Sequence, residues 1–177
     1  MEIGDVDRIT ADAIGEPGQR TFYLQARAGT ELITVIVEKE QVQLLATSVL
    51  ELLSDIPLGT GAGPDDDEMA LEWPDDPRWR AGRLSIGYDT SIDRFVLEIV
   101  EYRPELDEEE EEDPRSFLDG EAERITLRAT REQMFALSRY GAAVAERGRP
   151  ACPLCGNPMD PEGHVCPATN GHRTPRS

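Results

Sequence analysis

The chain has 177 residues, a formal net charge of −18, three cysteines and two histidines. This length allows one ordinary domain with a real hydrophobic core plus a small module, so no disulfide framework is needed. The sequence begins without a signal peptide and contains no apolar run of roughly 18 residues, which excludes a membrane-spanning helix. We therefore expect a cytoplasmic protein whose cysteines stay reduced.

The negative charge lies almost entirely in the first part of the chain. Residues 1–146 contain 14 Lys and Arg against 34 Asp and Glu, whereas residues 147–177 contain 4 Arg against 2 acids. Nucleic-acid binding relies on cationic side chains, so the composition disfavours a nucleic-acid partner. A basic protein partner would be complementary to the acidic part. Nucleic-acid contact through the weakly basic tail is the weakest alternative.

An internal repeat consists of a β-branched strand that leads directly into a helix. The segment 33–45 aligns with the segment 125–137 at an offset of 92 residues. The identical pairs are Ile33/Ile125, Thr34/Thr126, Glu40/Glu132, Gln41/Gln133 and Leu45/Leu137. Thr130 and Gln133 predict a capping box at the second helix, and Glu38 favours the positive end of the first helix.

Each copy carries two further strand patterns before its strand and helix. We expect strands at 6–14, 21–28 and 32–38 in the first copy, and at 80–88, 94–103 and 123–129 in the second. Apolar residues then recur at helical spacing in both helices. The sequence therefore predicts an α+β fold of duplicated βββα units with a mostly antiparallel sheet, in which each copy ends in an amphipathic helix.

These patterns divide the chain into a body and a tail. The body is a duplicated α+β domain over 1–148, and the tail over 149–177 is a small C-terminal zinc-knuckle module. Within the body we expect repeat one at 5–57, a linker at 58–76 and repeat two at 77–148. A run of acidic residues at 105–113 repels itself and predicts a disordered insertion.

The tail holds every cysteine and histidine of the chain. Cys152 and Cys155 are separated by two residues, and Cys166 follows, which is a spacing typical of zinc sites. Thiolate and imidazole are the ligands that zinc prefers, and four of them close the ion, so we expect a structural Zn²⁺ site. Either His164 or His172 could supply the fourth ligand.

Three separated motifs carry a resemblance to a known family. They lie at Glu16–Gln25, at Glu38–Gln41 and at Cys152–Pro167, where Cys-Pro-x-Cys-Gly precedes His-x-Cys-Pro. Together they resemble the actinobacterial domain-of-unknown-function family three-zero-nine-zero over nearly the whole chain. The resemblance implies a cytoplasmic protein with a zinc-ribbon-like C terminus and no assigned activity. Its His-x-Cys element favours His164 as the fourth ligand.

The sequence favours a binding or scaffold protein over an enzyme, because few of its titratable groups suit catalysis. The alternative is an enzyme or ligand-binding subunit with a cleft between the two repeats. In that case Arg20, Glu38 and Glu132 would be the candidate ligand-binding residues. Arg20 lies in a turn rich in Gly and Pro, so a purely structural hairpin is the favoured interpretation there. No oligomeric state follows from the sequence.

Overall fold

The computed structural model describes residues 1–16, 18–73, 76–104, 122–147, 152–155 and 166. Seven strands lie in this part of the chain: β1 (Glu2–Asp5), β2 (Arg8–Ile14), β3 (Thr21–Ala28), β4 (Glu31–Val37), β5 (Ala81–Asp89), β6 (Arg94–Glu101) and β7 (Arg124–Ala129). The helices there are α1 (Lys39–Asp55), α2 (Arg131–Glu146) and a 3-10 helix (Asp66–Met69). The predicted α+β class is confirmed.

The strands form two sheets that are mostly antiparallel. One sheet has the order β2-β3-β4 and the other β1-β7-β6-β5, with β1 and β7 as the parallel pair. In the first sheet, Leu24 lies opposite both Ala11 and Val35, so three buried side chains face the same side. A single parallel bridge between Ile36 and Arg80 connects β4 to the residues that precede β5.

One hydrophobic core joins both sheets and both helices. On β6, Phe95, Leu97 and Ile99 are at most 2% exposed, and they alternate with partly exposed residues. This period of two is what a sheet with one covered face requires. The helices pack against each other, and α2 also packs on β2 while α1 packs on β5.

The two helices begin as the sequence predicts. At α2, the Thr130 side chain accepts a hydrogen bond from the Gln133 backbone amide, and the Gln133 side chain accepts one from the Thr130 amide. At α1, the Gln41 side chain accepts from the Glu38 amide at 2.8 Å in the same way. These capping boxes satisfy amide groups that a helix N-terminus leaves without partners.

Neither helix is long and apolar enough to cross a membrane, and no other described helix is either.

Strand β1 was not predicted from the sequence. It has only four residues, none of them buried, and Gly4 within it has a φ of +80°. Its register shifts where Glu2 and Gly4 pair with β7. β1 forms because its distant parallel partner β7 offers free backbone groups, and short-range patterns carry no signal for such a contact.

The predicted linker is packed onto the body at several points. The Thr10 hydroxyl donates to the Met69 carbonyl, and Met69 itself is 1% exposed. The buried Gln25 side chain donates to the Glu72 carbonyl and accepts from the Glu72 amide, at 3.0 and 2.8 Å. Arg139 of α2 forms an ion pair with Asp66 at 2.9 Å. The acidic run at 105–113 lies outside the described residues.

Candidate metal centre

The first two cysteines lie on a tight turn that follows α2. Residues 153–155 form this turn, and the Leu154 backbone amide donates a hydrogen bond to the Cys152 Sγ at 3.4 Å. A pair of cysteines separated by two residues can face one ion only if the chain reverses in this way. The turn also aims an amide dipole at sulfur, which stabilises a thiolate.

The third cysteine completes the cluster. The Sγ atoms of Cys152, Cys155 and Cys166 all lie within 4.8 Å of one another. The Cys152 and Cys166 Sγ atoms are 3.8 Å apart, and both residues are buried, whereas Cys155 is partly exposed. None of the three is in a disulfide. The fold therefore brings together all three cysteines that the sequence predicts as ligands.

The hydrogen bond from the Leu154 amide lowers the pKa of the Cys152 thiol, and burial of the thiol opposes this effect in part. Hydrogen bonds to the charged form of a group favour that form. Since the thiolate is the form of cysteine that binds metals, the local backbone prepares Cys152 to act as a ligand.

The distances fit a metal ion better than a covalent link between the cysteines. Bonds of about 2.3 Å from tetrahedral Zn²⁺ to sulfur place two sulfurs about 3.8 Å apart, whereas a disulfide needs about 2.05 Å. The observed 3.8 Å between the Cys152 and Cys166 Sγ atoms equals the metal-bound separation. Three thiolates form a soft donor set that suits zinc, copper(I) or an iron–sulfur cluster and disfavours magnesium or calcium. The cluster can thus hold a metal ion.

The two candidate fourth ligands, His164 and His172, lie outside the described residues. Among the described residues, the group that could hold a metal ion consists of the three cysteines alone. It contains no ligand that the sequence analysis missed.

Arg20 lies at the end of α2, close to where the tail begins. Its guanidinium donates to the Val144 carbonyl at 2.9 Å and to the Arg147 carbonyl. It also lies 5.3 Å from the centre of the Phe22 ring. A cation at a helix C-terminus satisfies unpaired carbonyls and interacts favourably with the helix dipole. Local sequence patterns do not predict this contact, because the two partners are more than a hundred residues apart.

Glu38 and Glu132 lie at the starts of the two helices and have separate partners. Glu38 forms an ion pair with Arg80, and the Glu132 carboxylate accepts from the Gly61 amide at 3.4 Å. A hydrogen bond from its own backbone amide is the main cause that lowers the pKa of the Glu132 carboxyl, and the bond from Gly61 contributes less. None of the contacts described for Arg20, Glu38 and Glu132 joins one of these residues to another. The contacts of Arg20 with the end of α2, of Glu38 with Arg80 and of Glu132 with Gly61 each hold two parts of the body together.

A family model whose description reads "Protein of unknown function (DUF3090)" matches residues 2–166. The match covers both sheets, both helices and the three cysteines of the candidate metal centre. No curated protein and no solved structure matches the chain.

Proposed function

The chain belongs to a family of proteins of unknown function (DUF3090), and we propose from the geometry of its site that it binds one structural Zn²⁺ ion. Cys152, Cys155 and Cys166 would hold the ion as thiolates. The observation that carries this proposal is the convergence of three sulfurs within 4.8 Å, among which the Cys152 and Cys166 Sγ atoms have the 3.8 Å separation of tetrahedral bonds to zinc.

Zinc is preferred over an iron–sulfur cluster because of the ligand set. Such clusters are held mostly by four thiolates, and this chain has three cysteines, so a fourth ligand must come from another residue type. Zinc accepts three thiolates and one imidazole readily, as in Cys₃His structural sites. His164 is the proposed fourth ligand and His172 is the alternative.

A site closed by four protein ligands has no position for a substrate, so its role is architectural. We propose that the ion folds the tail and that the protein acts as a binding or scaffold module. The net charge of −18 would favour a basic protein partner. Reduced thiolates would also require a reducing compartment, which supports a cytoplasmic location.

We further propose that the body is an internal duplication. Each half has three antiparallel strands followed by a helix with a capping box. Gln41 of α1 donates to the carbonyls of Ala81 and Gly82, where the first strand of the second half begins. In return, Gln133 of α2 donates to the carbonyls of Val6 and Asp7, just before β2. This reciprocity between residues at equivalent positions is what a twofold duplication produces.

Metal analysis of the purified, reduced protein tests the zinc proposal. We expect about one zinc per chain, because three thiolates and an imidazole complete one tetrahedron. Replacing His164 with Ala should weaken zinc binding, whereas His172→Ala, the matched control, should leave it unchanged. The reverse result would show that His172, and not His164, is the fourth ligand. Reduced protein that holds no metal, or that holds iron in place of zinc, would refute the proposal.

A further inference from the structure

The three cysteines of the candidate metal centre differ in their access to solvent. Cys152 and Cys166 are 5% and 8% exposed, whereas Cys155 is partly exposed. A thiolate reacts only with a reagent that can reach its sulfur. A small oxidant that arrives from solvent therefore meets Cys155 before it meets the other two cysteines.

A second sulfur lies close behind the exposed one. The Sγ atoms of Cys152 and Cys155 lie within 4.8 Å of each other, and only two residues separate these cysteines in the sequence. The Leu154 amide, which belongs to the same turn, donates to the Cys152 Sγ at 3.4 Å and holds this sulfur beside the turn. A disulfide needs the two sulfurs at about 2.05 Å, so closing it would require an adjustment within this one turn.

Cys166 is the less direct partner for Cys155. Its Sγ lies 3.8 Å from the Cys152 Sγ, and both residues are buried. Cys166 lies on a separate segment of the chain, which would have to follow its sulfur into a bond with Cys155. Cysteines separated by two residues, in contrast, form a disulfide within a single turn and are common in redox proteins. The arrangement therefore favours Cys152 as the partner.

We propose that the metal centre is a redox switch, in which Cys155 reacts with a peroxide and Cys152 then forms a disulfide with it. This proposal rests on the proposed zinc site. In the first step, the Cys155 thiolate attacks one oxygen of the peroxide. An S–O bond forms, the O–O bond breaks and hydroxide leaves. The sulfur is oxidised to a sulfenic acid, and the peroxide is reduced by two electrons.

In the second step, the Cys152 thiolate attacks the Cys155 sulfur. The S–S bond forms, the S–O bond breaks and a second hydroxide leaves. Two protons from solvent convert both hydroxides to water, so two thiolates and one peroxide give one disulfide and two waters. A dithiol reductant reverses the reaction by thiol–disulfide exchange.

The disulfide removes two of the four proposed zinc ligands. The Cys166 thiolate and one imidazole would remain, which is too few to close a tetrahedral site. Since metal binding stabilises the fold of a small zinc module, the tail loses this stabilisation when the disulfide forms. Every cysteine of the chain lies in the tail, so the thiol reaction is confined to this region.

Peroxide treatment of the reduced, zinc-loaded full chain tests the proposal. The zinc content before treatment reports on the zinc site by itself, and protein without zinc would refute the site and the switch together. After treatment, a zinc-binding dye should detect about one zinc released per chain, and a dithiol should restore binding. Zinc that stays bound after treatment would overturn the switch and leave the zinc site intact.

Peptide mapping of the treated, unmodified protein identifies the disulfide. Cleavage after Glu162 separates Cys166 from Cys152 and Cys155. The expected disulfide lies within one fragment, which loses two hydrogens. A disulfide to Cys166 would link two fragments and would overturn the assigned pair. This measurement decides the pair even if a variant fails to bind zinc.

Two histidine variants separate the roles of the cysteines, since zinc accepts imidazole in place of a thiolate. Cys155→His removes the exposed thiol and should slow zinc release about tenfold or more. The matched control, Cys166→His, keeps Cys152 and Cys155 and should release zinc as fast as the unmodified protein. Release from Cys155→His at the unmodified rate, or slow release from Cys166→His, would overturn the proposal.

Discussion

The body and the cysteine tail hold their shapes by different means. The body buries a continuous set of apolar side chains from both sheets and both helices. The tail has few apolar residues, and the largest of those described, Leu154, is 66% exposed. Of the tail residues that the structure describes, the buried ones are the candidate ligands Cys152 and Cys166. The body is therefore stabilised by the hydrophobic effect, whereas under the proposed function the tail would depend on metal coordination.

On the proposed function, one chain combines two independent sources of stability. A segment of fewer than about 40 residues rarely buries enough apolar surface to fold alone, so the proposed metal ion would take the place of a core. Changes in either region should then leave the other largely intact.

The largest effect is expected for Cys155→Ser. Zinc binding contributes about 10–16 kcal/mol to the folding of small structural sites, and loss of one thiolate removes most of it. The purified variant should contain almost no zinc, while the urea midpoint of the body stays unchanged. Metal analysis and urea unfolding followed by circular dichroism would measure the two quantities.

The control for this variant is Leu154→Ala. It changes an exposed side chain in the same turn and keeps the backbone amide that donates to the Cys152 Sγ. It should retain the zinc of the unmodified protein. If the body of Cys155→Ser unfolded together with the tail, the two regions would not be independent.

The second effect is expected for a substitution in the core of the body, which should leave the tail intact. Phe95 is 0% exposed, and its ring centre lies 5.2 Å from that of Tyr88. Phe95→Ala should cost about 3–5 kcal/mol in the free energy of unfolding, because a large cavity replaces the ring. Below its urea midpoint, the variant should still bind one zinc per chain. Ile92→Ala, at a 44% exposed apolar residue, is the control and should change stability little.

The third effect concerns the junction between the regions. Arg20→Ala removes two hydrogen bonds to carbonyls at the end of α2 and should destabilise the body by about 1–2 kcal/mol. Zinc affinity should not change, because the guanidinium has no contact with sulfur among those described. Arg20→Lys keeps the positive charge and should recover part of the loss. If Arg20→Ala were as stable as the unmodified protein, the contacts of Arg20 with the end of α2 would not stabilise the body.

The smallest effect is a dependence of body stability on acid. The Glu123 amide lowers the pKa of the Glu101 carboxyl, and the amide of Glu132 lowers the pKa of its own carboxyl. Both pKa values are lower in the folded state than in the unfolded state. The stabilisation from these two carboxylates is therefore complete above the unfolded pKa near 4.5, and it is lost as pH falls through the folded-state pKa values. Urea midpoints measured between neutral pH and acid should therefore fall.

Acid also releases zinc from thiolates, so the pH series is best measured in the metal-free Cys155→Ser protein. In that variant, any loss of stability in acid comes from the body and not from the release of zinc. Glu101→Gln should reduce the acid dependence, because an amide does not titrate. An unchanged pH profile in that variant would show that Glu101 contributes nothing to it.

The sequence predicted most of the body because its signals are local. Period-two alternation located the long strands, and Thr130 with Gln133 marked the start of α2. Strand β1 was missed because its stability comes from a parallel partner more than a hundred residues away. Local periodicity cannot reveal pairing of that kind.

The candidate site also contains features that the local sequence predicts and features that it does not. Ligand type and spacing were enough to predict that Cys152, Cys155 and Cys166 lie close together, since zinc chemistry restricts both. Their role as metal ligands stays a prediction. The contacts of Arg20 with the end of α2 could not be predicted, because they arise only when distant segments pack together. Glu38 and Glu132 were proposed as ligand-binding residues, but their described contacts with Arg80 and Gly61 are structural. That role as ligand-binding residues remains a prediction.

Amide hydrogen exchange before and after zinc removal tests the independence of the two regions most directly. On treatment with a chelator under reducing conditions, the amides of Cys152–Cys155 should lose protection, while those of β6 and β7 keep theirs. That outcome would establish a tail held by metal beside a body held by its core. Loss of protection in β6 and β7, or unchanged protection at Cys152–Cys155, would contradict it.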